Sequence, residues 1–216
     1  MSATTATPAP PRAATLMAWG TPVFQADFPG AAEYNPVLRK LILEAEKNDP
    51  EAALFGGINA VKSSSGLLQW DHPAIAWFRD RITDAVTALT FAELGEAARE
   101  VTAGIQAESW AVVYRHGGSL RPHTHHDSAW SGVYYVEAGN PGGEGDAGYL
   151  QLLDPRPAAI ARQASSGPHR IRPVAGRMVA FPGWMPHSVQ ATVDDDSLRI
   201  ALAWNVAYDK TWSAVR

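Results

Sequence analysis

The apolar positions of the chain change period midway. In the first half they recur at spacings of three and four: Leu38, Leu41, Ile42 and Ala45 share one helical face, and Ile75, Phe78, Ile82, Val86 and Leu89 form a second stripe. Asn35 followed by Pro36 predicts the start of the first helix, Asp71 the cap of the second, and a shorter helical stretch is expected over Phe91 to Arg99. From Ser109 onward, short runs of Val, Ile, Tyr and Trp are separated by Gly and Pro. This pattern predicts strands at Trp110 to Tyr114, Gly132 to Val136, Tyr149 to Leu153, Met178 to Phe181 and Leu198 to Val206. A further short strand is expected at Trp19 to Phe24. Helices first and strands afterwards define an α+β protein whose helices cover a β-sandwich or jelly roll.

The length of 216 residues fits one domain, expected over 15–216. Ahead of it the Ala, Thr and Pro of residues 1–14 bury too little apolar area to offset chain entropy and predict a disordered tail. With 46% hydrophobic and 19% charged residues, the remainder is expected to be globular. The formal charge of -4 offers no general attraction for nucleic acid or an anionic membrane, so neither is expected as a partner. No apolar run approaches a membrane span and the start lacks a leader pattern, which together predict a cytoplasmic protein. The apolar helices leave a homo-oligomer open. The glycine-rich stretch Asn140 to Gly148 reads as a flexible loop, and Asp194 to Asp196 as a solvated turn.

The absence of cysteine leaves nitrogen and oxygen as the donors for any metal. In Arg121-Pro-His-Thr-His-His-Asp127 an extended backbone puts His123, His125 and Asp127 on one face and His126 on the other. Far downstream, Phe181-Pro-Gly-Trp-Met-Pro-His187 presents another histidine between turn residues and a strand. Two ligands from one short segment and a distant His form the pattern of a facial metal site, with Fe(II) leading and Mn, Zn or Ni as alternatives. In the last strand Leu198, Ile200, Leu202, Trp204 and Val206 make a core face. The opposite face carries Arg199 among Ala201, Ala203 and Asn205, so a guanidinium is placed where it can pair with a carboxylate. His72, His116 and His169 read as ordinary surface or packing residues.

These residues carry a resemblance. Ser109-Trp110, Tyr114, Gly117, Pro122-His123-Thr124-His125, Ser131-Gly132-Val133-Tyr134-Tyr135, Asp154-Pro155-Arg156, Phe181-Pro182, His187 and Arg199 through Asn205 are together similar to the 2-oxoglutarate and Fe(II)-dependent oxygenase family marked by His-x-His and a Ser-Gly-Val-Tyr-Tyr strand. The resemblance implies a double-stranded β-helix, a cupin-like jelly roll with N-terminal helices packed on one sheet. It implies an oxygenase, a hydroxylase using O2 and 2-oxoglutarate on an unknown small-molecule or protein substrate. His123, His125 and His187 would then hold Fe(II), with Asp127 as the alternative to one histidine because the wider superfamily uses His-x-Asp. Arg199 would take the distal carboxylate of 2-oxoglutarate, with Tyr114, Tyr134 and Asn205 lining the co-substrate pocket. The rival expectations are a three-His dioxygenase independent of 2-oxoglutarate and a non-catalytic metal or small-anion binding protein.

Overall fold

A computed structural model describes residues 20–48, 53–54, 57–101, 104–139, 146–156, 167–192 and 198–209. The expected tail at 1–14, Trp19, most of the Asn140 loop and the Asp194 turn lie outside the described residues. Two helices precede most of the sheet: α1, Ala31–Asn48, and α2, Pro73–Leu94. The strands are β1 Phe24–Asp27, β2 Ala53–Leu54, β3 Gly57–Lys62, β4 Ile105–His123, β5 Trp130–Ala138, β6 Leu150–Leu152, β7 His169–Ile171, β8 Arg177–Pro182, β9 His187–Val189 and β10 Arg199–Tyr208. They pair antiparallel in the order β1-β8-β5-β10-β4-β9-β6-β7, with β3 on the other edge of β4 and β2 beside β3. The sheet curls on itself into a half-barrel, the expected jelly-roll relative.

The curl is made by β4, whose first part pairs with β10 from Ile105↔Tyr208 to Tyr114↔Arg199, and whose end pairs with β9 at His123↔His187. Between these two regions lie Gly117, with φ of 71°, and Gly118. A Cβ on Gly118 would stand 2.6 Å from the Arg115 carbonyl oxygen and 3.0 Å from that of Asn59, so only glycine fits this corner. Thr192 ties it down: its hydroxyl donates to the Arg115 carbonyl at 2.6 Å, and its amide donates to the Gly118 carbonyl at 3.1 Å.

Strand alternation sorts the two faces. Ala111, Val113, Tyr134, Val136, Ile200, Leu202, Trp204 and Val206 pack against the helical stripe Ile75, Phe78, Ile82, Val86 and Leu89. Trp110, Val112, Tyr114, Tyr135 and Ala201 point the other way, toward Leu150, Leu152, Ile171 and Val189 on the facing strands. The pattern expected for the last strand is therefore the one found.

The helix starts move relative to the sequence reading. α1 begins at Ala31, where the Ala31 amide bonds to the Phe28 carbonyl, and Pro36 lies inside it. Asn35 does not cap this helix. Its side-chain amide donates to the Val136 carbonyl at 2.9 Å and its oxygen accepts from the Tyr134 hydroxyl at 2.6 Å, pinning the helix to β5. α2 is capped by His72, whose Nδ1 accepts from the Ala74 amide at 3.0 Å, with Pro73 as the first helical residue; Asp71 lies one position too early. The first strand falls at Phe24–Asp27, overlapping the expected span, Trp19 to Phe24, only at Phe24. β3, β7 and β9 carry no long apolar run and were not predicted.

Candidate metal and carboxylate site

His123 ends β4 and His187 begins β9, so direct pairing of the two strands brings these rings together, with centroids 4.2 Å apart. His125 follows two residues on. Its amide donates to the Gly183 carbonyl at 2.8 Å, and its own carbonyl accepts from the Ser128 amide at 3.1 Å, which closes a tight turn over residues 125–128. Gly183 is required here, because a Cβ on it would stand 2.2 Å from the Ser128 carbonyl oxygen and 2.7 Å from that of His125. The Phe181-Pro-Gly turn thus clamps the His-x-His segment. The His125 ring stands 5.2 Å from both the His123 and the His187 ring, and one nitrogen from each of the three lies within 4.8 Å of the others.

Asp127 does not join them. The chain leaves the extended conformation at the turn, which carries Asp127 to the surface, and no carboxylate completes the cluster among the described residues. The alternation that would have aligned His123, His125 and Asp127 stops two residues too soon.

The hydrogen bonds of two of the imidazoles fix which nitrogen carries the proton. Nδ1 of His123 faces the Arg121 carbonyl at 2.8 Å and Nδ1 of His187 faces the Met185 carbonyl at 2.9 Å. A carbonyl only accepts, so both Nδ1 atoms carry the proton and both Nε2 lone pairs are free. Burial, and secondarily the neighbouring His123, lowers the pKa of His125 to about 4 and that of His187 to about 3. Both rings are neutral at pH 7, the form that binds a cation without first losing a proton.

The three histidines open on a cavity of about 480 Å³. Arg199, only 1% exposed, lines the same cavity from β10. Its guanidinium carbon sits 4.4 Å from the centre of the Tyr114 ring and 5.5 Å from that of Tyr135. Nη1 donates to the Gly148 carbonyl, but Nε and the Tyr135 hydroxyl have no partner among the described residues. A buried cation without a carboxylate, next to an unpaired hydroxyl, is costly unless an anion arrives. Burial pushes the Tyr114 hydroxyl up to about 12 against the opposing pull of Arg199, so it remains a proton donor. Burial raises Tyr135 as well.

Tyr134 does not reach this cavity. It lies on the helix-facing side of β5, its hydroxyl on Asn35 and its ring 5.6 Å from Trp77. Strand alternation puts Tyr135 in the place expected for its neighbour, and the inward positions Tyr114, Ala201 and Arg199 were the signal that could have shown it. Asn205 does line the cavity, hydrogen-bonded to Glu108 at 3.0 Å and facing His125. Trp110 and Lys62, which the sequence reading left without a site role, also line it, with the Lys62 ammonium 4.0 Å from the Trp110 ring centre.

The curled sheet thus gathers three histidines and a buried arginine around one cavity. Residues 108–205, from within β4 to within β10, match the family model described as "Putative 2OG-Fe(II) oxygenase". Among solved structures the fold is shared with a Pseudomonas putida prolyl-4-hydroxylase, at 17% identity and a TM-score of 0.61 over 87% of this chain and 92% of that one. It is shared too with a Trichoplax adhaerens prolyl hydroxylase in complex with a peptide of the hypoxia inducible factor oxygen degradation domain, at 14% identity and 0.57 over 86% and 82%. HygX from Streptomyces hygroscopicus, solved with nickel and 2-oxoglutarate bound, aligns at 10% identity and 0.55 over 91% and 86%. No curated protein matches the chain. No helix among the described residues is long and apolar enough to cross a membrane.

Proposed function

We propose that the chain hydroxylates an organic substrate, with His123, His125 and His187 holding Fe(II) and Arg199 holding the distal carboxylate of 2-oxoglutarate. The observation that carries the reading is the buried Arg199 guanidinium, whose Nε, like the Tyr135 hydroxyl, has no partner among the described residues, in one cavity with the three clustered imidazoles. The donor set suits the metal, since imidazoles accommodate first-row divalent ions and three protein ligands leave positions open. The orphaned donors suit a carboxylate, which takes two parallel bonds from a guanidinium.

When bound, iron and 2-oxoglutarate supply O2 activation, one oxygen atom entering the substrate C–H bond and the other leaving in succinate as CO2 is released. The chain's own residues orient and exclude. Arg199 is held over Tyr114 and Tyr135 so that it meets the co-substrate without rearranging, and the Tyr114 hydroxyl remains available as a donor. Val112, Ala201 and Leu150 make the wall apolar, which keeps water from competing at the reacting end. In this reading the protein works in a reducing compartment such as the cytoplasm, which keeps iron ferrous.

The rival in which 2-oxoglutarate plays no part gives Arg199 no anion to bind. Anaerobic addition of Fe(II) and then 2-oxoglutarate separates the two. A visible charge-transfer band is expected with the native chain and none with His187→Ala. A native chain that takes up Fe(II) but shows no band on adding 2-oxoglutarate sinks the reading.

A further inference from the structure

The three histidines are not supported alike. His123 and His187 each lean on a backbone carbonyl two residues earlier in the chain, Arg121 and Met185. Among the described residues no such carbonyl serves His125. Its Nδ1 instead faces the side-chain amide of Asn205 at 3.3 Å. Asn205 is 6% exposed, stands directly opposite Glu108 in the β10–β4 register, and places its Nδ2 3.0 Å from a Glu108 carboxylate oxygen. Its other amide atom, Oδ1, is buried with no partner among the described residues.

We propose that Asn205, backed by Glu108, is the positioning residue that selects the tautomer of His125 and so completes the metal site. This rests on the three-His reading above. An amide has two faces of nearly equal shape. With Nδ2 toward the ring, Asn205 occupies the Nδ1 lone pair and His125 carries its proton on Nε2, the wrong form for a ligand at that atom. With the amide turned over, the orphaned Oδ1 accepts Nδ1–H and Nε2 is free, as it is in His123 and His187. The turn gives Oδ1 the partner it lacks, and the exposed Glu108 carboxylate follows Nδ2. A metal that takes His125 through Nε2 therefore draws Asn205 into the turned position. Outer partners of this kind typically change metal affinity by about 10–100-fold.

The test is a Co(II) titration of the native chain, Asn205→Ala, Asn205→Asp and Glu108→Gln, with circular dichroism as the check on folding, plus the 15N histidine spectrum of the Zn(II)-loaded protein. Asn205→Ala is expected to weaken Co(II) binding by about 10–100-fold. Asn205→Asp, whose carboxylate accepts Nδ1–H without turning, is expected to retain native affinity, and Glu108→Gln to fall between. In the spectrum, His125 of the loaded native chain is expected protonated at Nδ1 and bound through Nε2. Native affinity in a folded Asn205→Ala, equal losses in the Ala and Asp variants, or His125 bound through Nδ1 would each overturn the inference while leaving the metal site standing. A native chain that binds no Co(II) overturns both. Should Asn205→Ala not fold, the Asp variant and the native spectrum still decide.

Discussion

His123 and His187 stand directly opposite each other in the β4–β9 pairing, their ring centroids 4.2 Å apart. The strand register that makes them neighbours leaves Asp127 on a surface turn. His187→Ala and His123→Ala are therefore expected to abolish stoichiometric Fe(II) uptake measured under anaerobic conditions. Asp127→Ala is expected to keep it. Metal lost only in the Asp127 variant would reverse the ligand assignment.

Arg199→Ala is expected to leave Fe(II) uptake intact and to weaken 2-oxoglutarate. Removing one partner of a buried charge pair costs about 2–5 kcal/mol, or roughly 30-fold or more in Kd. Calorimetry of the metal-loaded protein with 2-oxoglutarate reads this directly, and Arg199→Lys should recover only part of it, because an ammonium lacks the planar fork. Equal affinity in the Ala variant would refute the assignment.

Gly183→Ala tests the clamp on the His-x-His segment. The added methyl meets backbone atoms of Ser128 and His125 that cannot move independently. It is expected to weaken Fe(II) binding and to lower stability by about 1–3 kcal/mol, the usual range for overpacking. Urea denaturation with the metal titration in parallel measures both.

Acid should destabilise the metal-free protein. His125 and His187 have folded-state pKa values of about 4 and about 3, below the ordinary 6.5, so the unfolded chain binds protons that the folded one refuses. Their contribution is fully present above about pH 6.5 and is lost as the pH falls from there toward 4 and 3. Urea midpoints taken between pH 7 and pH 4 should fall with acidity, and less steeply in a folded His125→Ala,His187→Ala double variant. An identical slope in the two proteins would contradict the assignment of these groups.

Phe78→Ala removes a fully buried ring from the stripe of α2 that covers the sheet. The expected loss is about 3–5 kcal/mol of stability. Since Phe78 is on the face of the sheet away from the cavity, Fe(II) affinity in the folded variant should be unchanged.

What could be read beforehand follows from which interactions are local. The stripes of α1 and α2 and the two faces of β10 are periodic, and period alone separates Arg199 from Ile200. The cluster of His123, His125 and His187 was legible, and the alternative, Asp127, was set aside only by a turn made by contacts with Gly183 and Ser128, which ends the alternation that pointed to it. Tyr134 and Tyr135 are adjacent, and the choice between them depends on which face of β5 meets α1, a fact held by Asn35, 99 residues before Tyr134. The caps shifted for a similar reason. His72 is a rarer capping residue than Asp71, and Asn35 was taken up by a long-range bond. Short strands such as β9 have no pattern of their own and exist because β4 and β6 offer edges to pair with.

The continuity of β4 through its glycine corner makes the molecule a ruler. One strand carries Tyr114, the platform under Arg199, and His123, the first histidine, so the span between the two ends of the site is a count of residues along a single backbone. Helices and outer loops can lengthen without disturbing that span. One residue inserted between Tyr114 and His123 would turn the histidine to the opposite face and leave each end of the site correctly built for a partner it no longer meets.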